Sequence, residues 1–275
     1  MATIPLEDNF ADIIGKAQRG LKLSPEALSA QAQATSEELN RVKAGEVLEL
    51  AIRKLAKPLN LGESTLVDSA KKAWYPKPVQ ISGLAQFNTA WEDMTVNSYL
   101  IWDARSKQAA AFDTGADCSP MLQHVKANGL TIKLILLTHT HPDHVADLVR
   151  LKKETGAPAY VGALESAAGA EGFAEGRIFD LGNLKIETRQ TSGHSVGGIT
   201  YVVSGLEQLL AVVGDAVFAG SMGGGLVSYA EALANNRKKI LSLPDETVLC
   251  PGHGPLTTVG EEKRHNPFYP EFQKS

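Results

Sequence analysis

Four potential metal ligands fall within six residues at the end of one apolar run, Leu136-Leu137-Thr138-His139-Thr140-His141-Pro142-Asp143-His144. Residues Lys133–Leu137 read as a strand. Side chains alternate along an extended chain, so His139 and His141 are expected to project to the same side. Pro142 stops the strand and leaves Asp143 and His144 in the turn before a helix that opens near Ala146. Imidazoles and a carboxylate gathered at the C-terminal end of a strand predict a metal site.

The chain has seven histidines. Besides these three, His194 (in Thr191-Ser192-Gly193-His194-Ser195) and His253 (in Pro251-Gly252-His253-Gly254-Pro255) lie in glycine-flanked stretches that allow tight turns beside a bound ion. Asp215 follows the apolar run Leu209–Val213. Taken alone it reads as a turn or helix N-cap residue, and coordination would remove the cost of burying its charge. His124 falls in a helical pattern and is expected at the surface. The two cysteines, Cys118 and Cys250, are too few and too far apart for a disulfide framework or a cysteine zinc site. Cys250 reads as a small buried hydrophobe.

The texture of the chain changes at Trp74-Tyr75-Pro76-Lys77-Pro78. Before it, the spacing predicts helices over Asp8–Gly20, from Ser24-Pro25 to about Ala32, from Thr35/Ser36 to near Gly45, over Glu46–Leu59 and over Ser64–Ala73. Beyond it, strands are predicted at Val79–Phe87, Ser98–Trp102, Ala109–Asp113, Lys133–Leu137, Ala157–Val161, Leu184–Thr188, Ile199–Val203, Leu209–Val213 and Val248–Cys250. Helices are predicted at Pro120–Asn128, Ala146–Thr155, Ala163–Ala168 and Ser228–Leu243. This divides the chain into a small all-α domain with its linker, 1–78, and an α/β domain with a mixed sheet, 79–275. The beginning of the sequence shows neither a basic stretch nor a hydrophobic one. No run reaches the ~20 apolar residues of a membrane span, so a cytoplasmic location is expected.

The His139-Thr140-His141-Pro142-Asp143-His144 segment resembles the His-x-His-x-Asp-His signature of the metallo-β-lactamase superfamily. The resemblance continues in order through Gly193-His194, Gly214-Asp215 and Gly252-His253, over roughly residues 79 to 275. It implies an αββα sandwich and two divalent metal ions. His139, His141 and His194 would hold the first ion, Asp143, His144 and His253 the second, and Asp215 would bridge them. Imidazole and carboxylate ligands, with no thiolate among them, suit Zn²⁺, iron or manganese, and Zn²⁺ is the leading expectation. The implied chemistry is hydrolysis by a hydroxide shared between the ions, with Asp143 also orienting it.

Gly214-Asp215-Ala216-Val217-Phe218-Ala219-Gly220-Ser221 and the run from Pro251 to Phe268 look like those of glyoxalase II-type hydrolases. That resemblance implies a small-molecule thioester substrate such as S-D-lactoylglutathione. Met222-Gly223-Gly224-Gly225-Leu226 lacks the Gly-Arg pair usual after the aspartate in that family, and the ending is closer to its shorter members. Other superfamily activities are the alternatives: a lactonase, a phosphodiesterase or a persulfide dioxygenase, the last using one iron. Flavodiiron proteins carry Glu where this chain has His141.

Leu23 to Gly45 resembles the helix-turn-helix of phage-repressor-like regulators, which implies a DNA-binding ligand sensor as a rival function. The first 78 residues carry almost as many acidic as basic side chains, whereas a DNA reader shows a basic face. Packing on the catalytic domain, or a homodimer interface, is therefore the favoured role of these helices.

Overall fold

The computed structural model describes residues 3–273. Five short helices come first: α1 (Phe10–Gly20), α2 (Pro25–Ala32), α3 (Ser36–Lys43), α4 (Glu49–Ala56) and α5 (Glu63–Ala70). Their starts follow from local chemistry. Ser24 caps α2 with Pro25 at its first position, and Thr35 and Glu38 cap α3 reciprocally. Leucine, isoleucine and alanine at helical spacing then form buried faces, such as Phe10, Ile13, Ile14 and Ala17 on α1.

The remainder is two six-stranded sheets with helices outside them. The strands of the first are β1 (Leu84–Trp91), β2 (Met94–Trp102), β3 (Gln108–Phe112), β4 (Thr131–Leu136), β5 (Ala159–Gly162) and β6 (Ala170–Phe173), paired in chain order. The second contains β7 (Ile178–Leu181), β8 (Leu184–Gln190), β9 (Ile199–Ser204), β10 (Leu210–Gly214), β11 (Val248–Pro251) and β12 (Thr257–Thr258), also in order. Both sheets mix parallel and antiparallel pairs. The helices of this part are α6 (Ser119–Ala127), α7 (Pro142–Val145), α8 (Leu148–Thr155), α9 (Tyr229–Asn235) and α10 (Val259–His265).

Strands buried on both faces read as continuous apolar runs, and their alternate residues feed different cores. Phe112, Leu136, Tyr201, Leu210 and Val212 meet between the sheets. Ala111, Ile135 and Leu137 pack outward with Met121 of α6 and Leu148 and Leu151 of α8. On the opposite outer face, Ala211, Val213 and Leu249 share one core with Ile14, Leu28, Leu39, Ile52 and Leu66 of the first five helices. The helical region is thus part of the outer α layer of an αββα sandwich.

Several elements differ from expectation. Ala163–Ala168 is a loop rather than a helix, because the Glu165 carboxylate is spent on Thr140 Oγ1 and Gly197 N–H. The first strand runs to Trp91, where a two-residue turn leads into β2. Strands β6 and β7 are too short and too polar to stand out in the sequence. The helix expected from Ala146 begins at Leu148 as α8, Asp143 and His144 lie in the separate short helix α7 before it, and Ser228–Leu243 resolves into α9 followed by a π-helical turn, Asn236–Ile240. His124 is half-buried against the rings of Phe87 and Trp102. Cys118 and Cys250 are both buried and unpaired, as a structural reading expects.

Candidate metal centre

Four segments at the C-terminal ends of strands converge on one edge of the sandwich. The loop after β4 delivers His139 and His141, and α7 delivers Asp143 and His144. His194 follows β8, Asp215 follows β10, and His253 follows β11. Gly214, at φ 52°, turns the chain sharply so that Asp215 faces inward. Gly252 allows a close approach, since a Cβ there would stand 2.1 Å from Asp215 Oδ1.

All seven side chains singled out in the sequence come together. They form two groups, His139–His141–His194–Asp215 and Asp143–His144–His253, and within each the donor atoms lie no more than 4.8 Å apart. In the first, His141 Nδ1 is 3.0 Å from His139 Nε2 and 3.1 Å from His194 Nε2. Asp215 Oδ2 is 3.3 Å from His194 Nε2. In the second, Asp143 Oδ2 is 3.3 Å from His253 Nε2 and 3.6 Å from His144 Nε2. An ion bound tetrahedrally at about 2.0–2.1 Å spaces its ligands by about 3.3 Å, so both sets have dimensions that fit one. Asp215 belongs to both: Oδ1 is 3.2 Å from His144 Nε2, and Oδ2 is 3.5 Å from His253 Nε2.

On four of the five histidines the outward nitrogen is engaged, which leaves the inward one free. His144 Nδ1 donates to Asp113 Oδ2 at 2.8 Å, His194 Nδ1 to Gly223 O at 2.7 Å and His253 Nδ1 to Thr95 O at 2.7 Å. His139 Nδ1 lies 3.0 Å from Thr138 Oγ1. Such outer hydrogen bonds fix ring orientation and the tautomer with a bare Nε2. Two of the inward atoms, His144 Nε2 and Asp215 Oδ1, are buried without a hydrogen-bond partner. Orphaned buried polar atoms are costly, and a cation between them would satisfy both.

The electrostatics point the same way. Burial opposes charge on Asp215, yet His253 and His144 hold its carboxyl well below the usual range. Burial would likewise lower the two histidines, but the Asp215 carboxylate, helped by Asp113 at His144, pulls that ring up to about 10. With help from Asp143, Asp215 pulls His253 up to about 11. Burial and the neighbouring imidazole of His144 push His139 well down. A focus of negative potential that draws protons onto two imidazoles also draws metal cations.

The sequence reading overlooked Asp113, Thr138 and the contacts from the first helices. Asp113 closes a predicted strand and sits at φ 55°, a conformation in which Asp and Asn are enriched. An aspartate ending an apolar strand is the signal that was available for it.

The chain matches the profile described as "Metallo-beta-lactamase superfamily" over residues 91–253. It is 31% identical over 197 residues to the hydroxyacylglutathione hydrolase GloC of Haemophilus influenzae, a match that spans 62% of this chain and 92% of that one. Among solved structures it is similar to the BLEG-1 B3 metallo-beta-lactamase, with 28% identity, a TM-score of 0.58 and coverage of 68% of this chain and 99% of the other. It is also similar to TTHA1623 in a di-iron-bound form, with 28% identity, a TM-score of 0.54 and coverage of 66% and 99%. Sandwich, strand-end cluster and sequence matches agree, and the chain belongs to the metallo-beta-lactamase superfamily.

Proposed function

We propose that this metallo-hydrolase cleaves thioesters of the S-D-lactoylglutathione type, using two divalent metal ions, with Zn²⁺ the leading candidate. The observation that carries the reading is Asp215, whose two carboxylate oxygens reach into both donor groups. His139, His141 and His194 would hold one ion, Asp143, His144 and His253 the other, and Asp215 would join them. When bound, two such ions supply Lewis acidity toward an acyl oxygen and lower the pKa of water held between them.

The residues of the chain account for the rest. Asp143 is held below the usual carboxylate range, since its hydrogen bond to His253 and the nearby His144 outweigh burial. It is therefore ionised at neutral pH, suited to orienting the attacking water by accepting a hydrogen bond at Oδ2. Asp215 is held ionised in the same way. The carboxylates are thus poor proton donors, which favours a leaving group that departs unaided. A thiolate, of pKa near 8–9, is such a group, whereas an alkoxide or amide anion is not. The likeness to a hydroxyacylglutathione hydrolase supports the same bond.

The test is elemental analysis of the purified protein together with a panel of S-D-lactoylglutathione, simple acyl thioesters, lactones and phosphodiesters. Two equivalents of metal per chain and thioester turnover are expected, both lost in Asp215→Ala. Full activity in chelator-stripped protein or in metal-free Asp215→Ala would overturn the reading. Oxygen consumption with one equivalent of iron would favour the dioxygenase instead.

A further inference from the structure

The helical region lies outside the residues matched by the family profile, yet it grips the loop that carries part of the metal centre. Lys16, near the middle of α1, donates from Nζ to Met222 O at 2.8 Å. It is ion-paired with Asp8, whose Oδ2 also accepts from the Ser221 hydroxyl at 2.5 Å. The next carbonyl along, Gly223 O, accepts from His194 Nδ1, and Gly223 N–H donates to Asp215 O at 3.1 Å. The segment 221–223 is thus held by the helical region on one side and holds His194 and Asp215 on the other. The same ammonium lies 5.1 Å from the centroid of the Phe218 ring, which packs edge-on against His253. Glu7 Oε2 stands 4.0 Å from His253 Nδ1. Tyr75, beyond α5, ties down the start of this arm by donating to Ile4 O at 2.6 Å.

Lys16 and Asp8 are both mostly buried, with side chains 16% and 8% exposed. A buried ion pair is a poor means of stabilising a fold, because desolvation offsets much of its attraction and an apolar pair would serve as well or better. Fixed direction is what it provides that an apolar pair cannot, here an ammonium aimed at one carbonyl. We infer that Lys16, held by Asp8, is a positioning residue of the metal centre that sets the Met222–Gly223 carbonyls and through them the His194 ring. The inference rests on the reading of His194 as a metal ligand.

The experiment compares full-length wild type, Lys16→Met, Lys16→Arg and Arg53→Met, each stripped and reloaded with zinc or cobalt. Arg53 bridges Glu49 and Glu63 within the helical region and serves as a control for general stability. The readouts are metal affinity by chelator competition and the visible spectrum of the cobalt protein. Lys16→Met is expected to bind the more weakly held ion roughly tenfold less tightly, with a shifted spectrum, in line with the effect of losing outer-sphere support. Lys16→Arg should recover most of the loss, and Arg53→Met should match wild type. Should Lys16→Met not fold, Asp8→Asn carries the same expectation. Unchanged affinity and spectrum in the loaded variant, or an equal loss in Arg53→Met, would overturn the inference alone, whereas a wild type that binds no ion would overturn the metal reading itself.

Discussion

Asp113 accepts a hydrogen bond from His144 Nδ1 at 2.8 Å, through an oxygen that also accepts from the Thr138 hydroxyl at 2.7 Å. Thr138 Oγ1 in turn lies 3.0 Å from His139 Nδ1. One buried carboxylate therefore backs a histidine in each of the two donor groups. Asp113→Asn keeps the shape and tolerates the left-handed backbone. Its single carbonyl oxygen cannot replace both carboxylate oxygens, and it adds no charge to stiffen the rings. Metal affinity should fall roughly 10–100-fold, measured by competition with a chromophoric chelator. An unchanged affinity would remove Asp113 from the site.

Gly252 gives a sharper steric test. A methyl group there would stand 2.1 Å from Asp215 Oδ1 and 2.7 Å from His144 Cε1. The loop cannot step aside easily, because Gly252 N–H donates to Gly214 O at 2.9 Å and its carbonyl accepts from Asn97 N–H at 2.7 Å. Gly252→Ala should leave the circular dichroism spectrum native while metal binding and turnover fall together, turnover by roughly a hundredfold. Native metal content in a folded Gly252→Ala protein would mean that Asp215 does not lie in the ion's path.

Proton linkage has a definite sign here. His144 and His253, held at about 10 and about 11, carry protons at neutral pH in the ion-free protein. His139, held well below its ordinary value, does not. A metal ion needs neutral imidazoles, so loading at pH 7 should release protons, and affinity should rise with pH across the neutral range. Indicator absorbance in weak buffer reads this directly. Loading without proton release would contradict the charge pattern described for the site.

Legibility in the sequence followed the reach of each interaction. The seven converging side chains stand in short motifs at strand ends: period-two alternation marked His139 and His141, and the resemblance to the metallo-β-lactamase signature was needed to single out His194, Asp215 and His253. The caps at Ser24 and Thr35 were readable because each acts within three residues. Asp113 was harder, because its partners Thr138 and His144 lie 25 and 31 positions away and only the fold brings them near. Lys16 bonds to a carbonyl 206 positions along the chain, and nothing local to α1 distinguishes it from a surface lysine. The Ala163–Ala168 stretch has good helix formers, yet tertiary hydrogen bonds accepted by Glu165 from Thr140 and Gly197 override that propensity.

The shared outer core bears on how the molecule unfolds. Leu39 and Val42 of α3 are buried in the same cluster as Val213, one position before the turn to Asp215, and Leu249 of β11. A helical region with a core of its own could melt separately, whereas one that completes the outer face of a sheet should not. Thr35 accepts from Glu38 N–H at 3.0 Å while the Glu38 carboxylate accepts from Thr35 N–H at 2.7 Å. Thr35→Ala should cost about 1 kcal/mol, which corresponds to about 2 °C in Tm for a chain of this size. If the core is continuous, that shift appears equally in far-ultraviolet dichroism and in the visible band of the cobalt-loaded protein, in one transition. An early partial loss of helix signal, with the cobalt band unmoved, would show that α1 to α5 unfold independently of the sheets they cover.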